Sequence, residues 1–248
     1  MKFYYFDLEK YFIMDIYYKE YLEYPVKIPG NAFVIDKEGL EPIKATPGFP
    51  IPYCWEIQII HKIAVNKENI FDFSKGMIDI GAGFGEYSWL LPFKFSHAFE
   101  PCRQALYLMH TNLVMHEKIY HTTTYEIGLS DKDETILFDG FNTDSGNAET
   151  YNSKKAIPLK VTTLDSYNFD NIGFIKVDIE GMEEKALRGG INTIKNNNYP
   201  PILFECWPIG YNTMTKEKRD SLYGFLNDLG YIIYDNWGDY ETHLAVHK

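Results

Sequence analysis

From residue 76 onward, short apolar runs and helical stretches take turns, and this alternation restricts the fold more than any other feature of the chain. GMIDI precedes a helix from Glu86, SHAFE precedes a helix through QALYLMHTNLVMHEK, GFIKVDI precedes EEKALRGGINTIKNN, and PILFECW precedes KEKRDSLYGFLNDLG. Strands joined by helical crossovers pair in parallel, so the pattern predicts an α/β fold with a mostly parallel sheet and helices on both faces. The last pair breaks the pattern. YIIYD and THLAVH are separated only by NWGDYE, too short for a crossover helix, which predicts an antiparallel hairpin at the end of the sheet.

Two other stretches depart from the alternation. Between Ser130 and Ile172, strand-like pieces surround a loop rich in Gly, Asn, Asp and Ser, which predicts a hairpin excursion overhanging the ligand edge. Residues 1–52 carry Tyr-rich segments broken by Pro25, Pro29, Pro42, Pro47, Pro50 and Pro52, the mark of short strands and turns. We read them as an N-terminal appendage to a domain spanning residues 53–248. In WEIQIIHKIAVN, Ile57, Ile60, Ile63 and Ala64 recur at helical intervals, so a helix is expected before the first core strand, roofing its carboxyl end.

Composition narrows the partners. The 248 residues, 45% of them apolar, suffice for one sizeable core. Thirty-five acids against 24 Lys and Arg give a formal charge of -11, which disfavours a nucleic-acid partner. Cys54, Cys102 and Cys206 lie far apart, without a CxxC pair, and read as free thiols of a reducing compartment. Charges at Asp7, Glu9, Lys10 and Asp15 interrupt the N-terminal apolar run, so no membrane span or signal peptide is expected. The expected location is cytoplasmic, and the abundance of Asn, Ile, Lys and Tyr fits an AT-rich genome; for a viral source it would be the host cytoplasm. A homodimer is compatible with the sequence, which does not set the oligomeric state.

The first strand leads into DIGAGFGEYS. A dinucleotide fingerprint would need glycines at 81, 83 and 86, but position 86 is Glu and the third glycine is Gly85. The displaced glycine argues against a pyrophosphate loop, while still letting backbone N–H groups approach a ligand closely. Asp79, at the end of an apolar strand, is costly unless partnered. Glu100 ends the next strand, twenty-one residues after Asp79, the interval at which doubly wound nucleotide folds place an acid on the ribose hydroxyls. Taken singly, Glu100 reads equally well as a cap for the helix that follows Pro101 and Cys102.

DIGAGFGEYS, AFEPCRQALYLMHTNL, TTLDSY, IKVDIEGMEEKALRGG and ILFECW together resemble the FkbM family of S-adenosylmethionine-dependent methyltransferases, over roughly Trp55 to the C-terminus. The resemblance implies a class I methyltransferase, Rossmann-like sheet of seven strands with an antiparallel last strand. It also implies S-adenosylmethionine as cofactor, and O-methylation of a hydroxyl on a sugar, glycan or small natural product. The cofactor residues it implies are Asp79, Gly81, Gly83, Phe84, Gly85, Tyr87, Glu100, Pro101 and Ser130, the last touching the adenine; a plain strand-end turn is the competing reading of Ser130.

Methyl transfer to an oxygen needs alignment, exclusion of water and a proton acceptor. Asp178 and Glu180 follow GFIKV at the carboxyl edge where open α/β sheets bind ligands, and Glu205 lies on the next strand. These three are the candidate catalytic residues, with the base among them left open. The competing reading makes Asp178 a helix cap, Glu183 a first-turn acid and Glu205 a partner of Lys176. Tyr53, Trp55 and Glu56 either close over the ligands or simply pack. No metal is expected: His243 and His247 share a strand face about 13 Å apart, although Asp178 with Glu205 would suit a hard cation. An RNA ribose methyltransferase and a non-catalytic methyltransferase-like binding module are the alternatives.

Overall fold

The computed structural model describes residues 56–67, 69–115, 117–138, 157–211 and 214–248. The chain divides into two units, Met1–Lys62 and Ile63–Lys248, and the described part of the first is the start of helix α1 (Ile57–Val65). That helix stands where the isoleucine spacing predicts one. The appendage of residues 1–52, with Tyr53, Cys54 and Trp55, falls outside the described residues.

A seven-stranded sheet organises the larger unit, with strands β1 (Gly76–Ile80), β2 (Ser96–Phe99), β3 (Thr122–Tyr125), β7 (Ile172–Val177), β8 (Ile202–Glu205), β9 (Tyr231–Tyr234) and β10 (Thr242–His247). Their order is β3-β2-β1-β7-β8-β10-β9. The pairs β1–β2, β2–β3, β1–β7 and β7–β8 are parallel, and β10 runs antiparallel to both β8 and β9. The predicted sheet and its antiparallel last strand are both present. The chain steps outward from β1 to β3, then returns to the other side of β1 as β7, which makes the carboxyl ends of β1 and β7 the topological switch point.

Right-handed crossovers put the helices of these two halves on opposite faces. On one side are α2 (Glu86–Leu90) and α3 (Arg103–Met115); on the other are α4 (Glu183–Arg188), α5 (Ile191–Asn196) and α6 (Lys216–Asp228). Thr215 caps α6, its hydroxyl accepting from the Lys218 N–H. Burial on both faces explains why β1 and β7 are almost wholly apolar and entirely buried. Ile78, Ile80, Phe99, Ile175, Val177, Ile202, Phe204, Leu187 and Leu226 join one core, each stabilising the fold by about 1.5–3 kcal/mol on burial. Two charges interrupt these strands, Asp79 and Lys176, and they are register partners across the β1–β7 pair.

Two details differ from the expectation. TTYEIGLS divides between two sheets: β3 stays in the large one, while β4 (Gly128–Leu129) joins β5 (Glu134–Phe138) and β6 (Ile157–Thr162) in a small sheet of order β4-β6-β5. The β5–β6 pair is the predicted hairpin, and its central residues 139–156 lie outside the described ones. EEKALRGGINTIKNN forms two short helices, α4 and α5, instead of one. Both positions at the break require glycine: a Cβ on Gly189 would lie 2.0 Å from the Ser130 carbonyl oxygen, and one on Gly190 would lie 2.8 Å from Leu164.

Candidate active site

At the switch point, the loop after β1 runs against the turn after β7. Gly81, Gly83 and Gly85 all adopt left-handed backbone, at φ 70°, 54° and 83°, a region open to glycine with little strain. Each meets different surroundings. A Cβ on Gly81 would collide with the Asp178 carbonyl and one on Gly85 with Met109, whereas a Cβ at Gly83 would meet nothing within 4 Å. Gly81 and Gly85 are therefore glycines for packing, and Gly83 borders open space. Phe84 and Tyr87 are buried, and the Phe84 carbonyl accepts from the Asn112 amide at 2.9 Å, which holds the loop to α3.

Two acids secure this loop. Glu100 accepts from the Gly83 N–H at 2.9 Å with one oxygen and from the Cys102 N–H at 2.7 Å with the other. It thus fills the capping role and also reaches the loop, with one lone pair per oxygen remaining for a ligand; half-buried Pro101 lies between Glu100 and Cys102. Burial pushes its carboxyl up to about 7, against the pull of the Cys102 and Gly83 hydrogen bonds. Asp79 is fully buried; its Oδ2 accepts from the Ser88 hydroxyl at 2.8 Å, while Oδ1 has no hydrogen-bond partner and lies 3.9 Å from Lys176 Nζ. Burial raises its pKa, and the Lys176 charge opposes the rise.

The turn after β7 carries backbone strain, with Glu180 at φ 59° followed by Gly181 at φ 98°. Glu183, 2% exposed, supports it by accepting from the Ile179 and Gly181 N–H groups at 2.9 and 3.1 Å. Asp178 is consequently not the helix cap: Met182 occupies that position, and the Asp178 carboxylate lies 3.5 Å from Lys176 Nζ. Glu205 accepts from the Trp207 indole N–H at 2.8 Å with Oε1, and its buried Oε2 has no hydrogen-bond partner.

One oxygen from each of Asp178, Glu180 and Glu205 lies within 4.8 Å of the others. Three carboxylates this close do not all ionise readily. Burial pushes Glu205 up to about 11 and Glu180 up to about 8, each raised further by Asp178. Burial likewise takes Glu183 up to about 7. Among the described residues, this is the set spaced to share protons or to hold one hard cation through oxygen ligands.

The structure thus draws Asp79, Gly81, Gly83, Glu100, Asp178 and the paired acids toward one edge. Ser130 is placed differently: it is fully buried, its N–H donates to Thr162, its hydroxyl donates to Asp131 at 3.3 Å, and its carbonyl faces Gly189. Glu56 lies in the turn before α1, its carbonyl accepting from the Ile60 N–H. Sequence reasoning missed the turn-holding role of Glu183 and the central place of Lys176; the register that opposes Lys176 to Asp79 would have exposed the second.

Comparison with known proteins bears on the family and the fold. The model of the methyltransferase FkbM domain matches residues 79–233, from the end of strand β1 into β9. Among solved structures, the chain is similar to methyltransferase FkbM from Methylobacillus flagellatus KT, at TM-score 0.53 and 21% identity over 71% of this chain and 44% of that one. It is also similar to precorrin-6y C5,15-methyltransferase from Geobacter metallireducens GS-15, at TM-score 0.46 and 15% identity over 89% and 98% of the two chains. An rRNA methylase from Streptococcus thermophilus has TM-score 0.47 and 14% identity over 76% and 96%. The chain spans less than half the length of the Methylobacillus protein, and at that identity the likeness shows a shared fold. No curated protein matches the chain in sequence. With its glycine loop, its acid-lined turn and more than half its length covered by the domain, the chain belongs to the FkbM methyltransferase family.

Proposed function

We propose that this protein is an S-adenosylmethionine-dependent O-methyltransferase acting on a hydroxyl of a sugar, glycan or small natural product. The observation that carries the reading is the meeting of three carboxylates, Asp178, Glu180 and Glu205, within 4.8 Å at the carboxyl edge, beside a glycine loop with open space at Gly83. The residues present suit this cofactor. Gly83 leaves room for it, Glu100 keeps free lone pairs for ribose hydroxyls, and the Asp79 Oδ1 without a hydrogen-bond partner offers a buried acceptor.

When bound, S-adenosylmethionine supplies a methyl group on a positively charged sulfur. Asp178, beside the Lys176 ammonium, orients the acceptor hydroxyl. Glu180, whose carboxyl burial pushes up to about 8, would take the proton of the acceptor hydroxyl. Glu205, held protonated at neutral pH, has in Oε2, which lacks a hydrogen-bond partner, a donor for the acceptor. The net charge of -11 and an acid-lined edge favour neutral acceptors over phosphate-bearing ones.

Incubation with methyl-labelled S-adenosylmethionine and a panel of sugars, deoxysugars and small alcohols tests the reading. Labelled product and S-adenosylhomocysteine release with a hydroxyl compound are expected; labelling of RNA with no glycan or alcohol labelled would overturn the acceptor class.

A further inference from the structure

Lys176 is a buried cation that the proposed chemistry leaves without an assigned role. It lies on β7 at 5% exposure, where an ammonium is costly unless its charge and its protons are met. Its Nζ donates to the Gly81 carbonyl oxygen at 2.8 Å, lies 3.5 Å from Asp178 Oδ2 and 3.9 Å from Asp79 Oδ1, and stands 5.4 Å from the centre of the Tyr87 ring. Gly81 and Tyr87 flank the cofactor loop, Asp79 underlies it, and Asp178 belongs to the acceptor edge. One ammonium group therefore touches both halves of the candidate site.

Neutralising Asp79 alone would not require this arrangement. An ammonium has three donors, and this one meets a loop carbonyl that is not acidic and the partly exposed carboxylate of Asp178, two residues further on at the end of its own strand. The contact with Gly81 matters because the loop has little freedom: a Cβ at Gly81 would clash with the Asp178 carbonyl, so movement of the loop and of the turn is sterically linked already. A short charged hydrogen bond beside that steric contact makes the link directional.

We infer that Lys176 is a positioning residue that couples occupation of the glycine loop to the orientation of the Asp178 carboxylate, presetting that acid for the acceptor hydroxyl. The inference rests on the S-adenosylmethionine-dependent reading above. Lys176 need not touch the acceptor; it acts through Asp178.

Carbon-13 labelling of aspartate carboxyls in the full-length protein tests the coupling, with the Asp178 resonance assigned by its loss in Asp178→Asn. Adding S-adenosylhomocysteine to the wild type is expected to move that resonance. In Lys176→Met the ligand should still bind, weakened by about tenfold, the order of one hydrogen bond to a charged group, while the Asp178 displacement falls by more than half. A role confined to folding would leave the displacement intact wherever the ligand binds. Because Lys176→Met leaves Asp79 without its cation, the pair Asp79→Asn and Asp79→Asn/Lys176→Met repeats the comparison without that charge; the first should keep the displacement and the second lose it. An Asp178 resonance that stays still in ligand-bound wild type, or moves equally in the lysine variants, overturns the coupling. Failure of the wild type to bind S-adenosylhomocysteine at all would instead overturn the cofactor reading on which it rests.

Discussion

The Cβ that Gly81 lacks would stand 1.9 Å from the backbone carbonyl oxygen of Asp178, so the loop after β1 and the turn after β7 are packed backbone to backbone. Gly81→Ala is therefore expected to destabilise the fold by roughly 2–5 kcal/mol, from overlap and left-handed strain together. Gly83→Ala, facing open space at φ 54°, should cost only about 1–2 kcal/mol. It should nonetheless weaken S-adenosylhomocysteine binding, because its methyl group projects into the space proposed for the cofactor. Urea unfolding and calorimetry on both variants separate these effects; equal stability losses would contradict the packing distinction.

Glu100 joins loop and helix through two N–H groups, and a ribose would share the same oxygens. Glu100→Gln turns an amide donor toward one of those N–H groups. S-adenosylhomocysteine affinity should fall about 10- to 100-fold, the scale of hydrogen bonds to a charged group. Unchanged affinity in calorimetry would leave Glu100 with its capping role alone.

Glu180 is protonated in much of the neutral range, since burial and then Asp178 push its carboxyl up to about 8. If it takes the acceptor proton, kcat should rise with pH to a plateau above about 8, and Glu180→Gln should lose most activity together with that limb. A wild-type profile flat from pH 6 to 9 would assign the proton to another group.

The raised acids also set a stability profile. Glu100, Glu180 and Glu183, at about 7, 8 and 7, keep protons in the folded chain that the unfolded chain releases near 4.5. Between those values the unfolded state binds fewer protons, so stability in the absence of ligand should decline as pH rises from about 4.5 to 8. Glu205, at about 11, extends the decline to higher pH. Glu205→Gln, which cannot ionise, should lose less stability than the wild type between pH 8 and 10; denaturant titrations at several pH values would show a shallower slope, and an unchanged slope would refute the assignment.

Chelation supplies the remaining check. With Glu205 and much of Glu180 protonated at neutral pH, the three acids meet their mutual repulsion through protons. Added EDTA is expected to leave methyl transfer unchanged, and loss of activity restored by Mg²⁺ would show that a cation takes that place.

Much of this protein was legible in its sequence, because local patterns encode what local physics decides. Apolar runs alternating with helical ones give the parallel sheet, and the six-residue link between YIIYD and THLAVH gives its antiparallel end. The glycine spacing and the strand-end acids Asp79, Glu100 and Asp178 located the candidate site, since backbone turns and buried charges are restricted by residue type. What only the tertiary structure decided are relations between residues distant along the chain. Lys176 reaches the Gly81 carbonyl across 95 positions, and Ser130 approaches Gly189 so closely that a Cβ there would clash. Glu205 on β8 meets Asp178 and Glu180 of the turn after β7, one oxygen of each within 4.8 Å of the others. Periodicity carries no record of such contacts; they arise when strand register and crossover handedness bring separate segments to the same edge of the sheet, where steric fit and charge pairing assign each side chain its role.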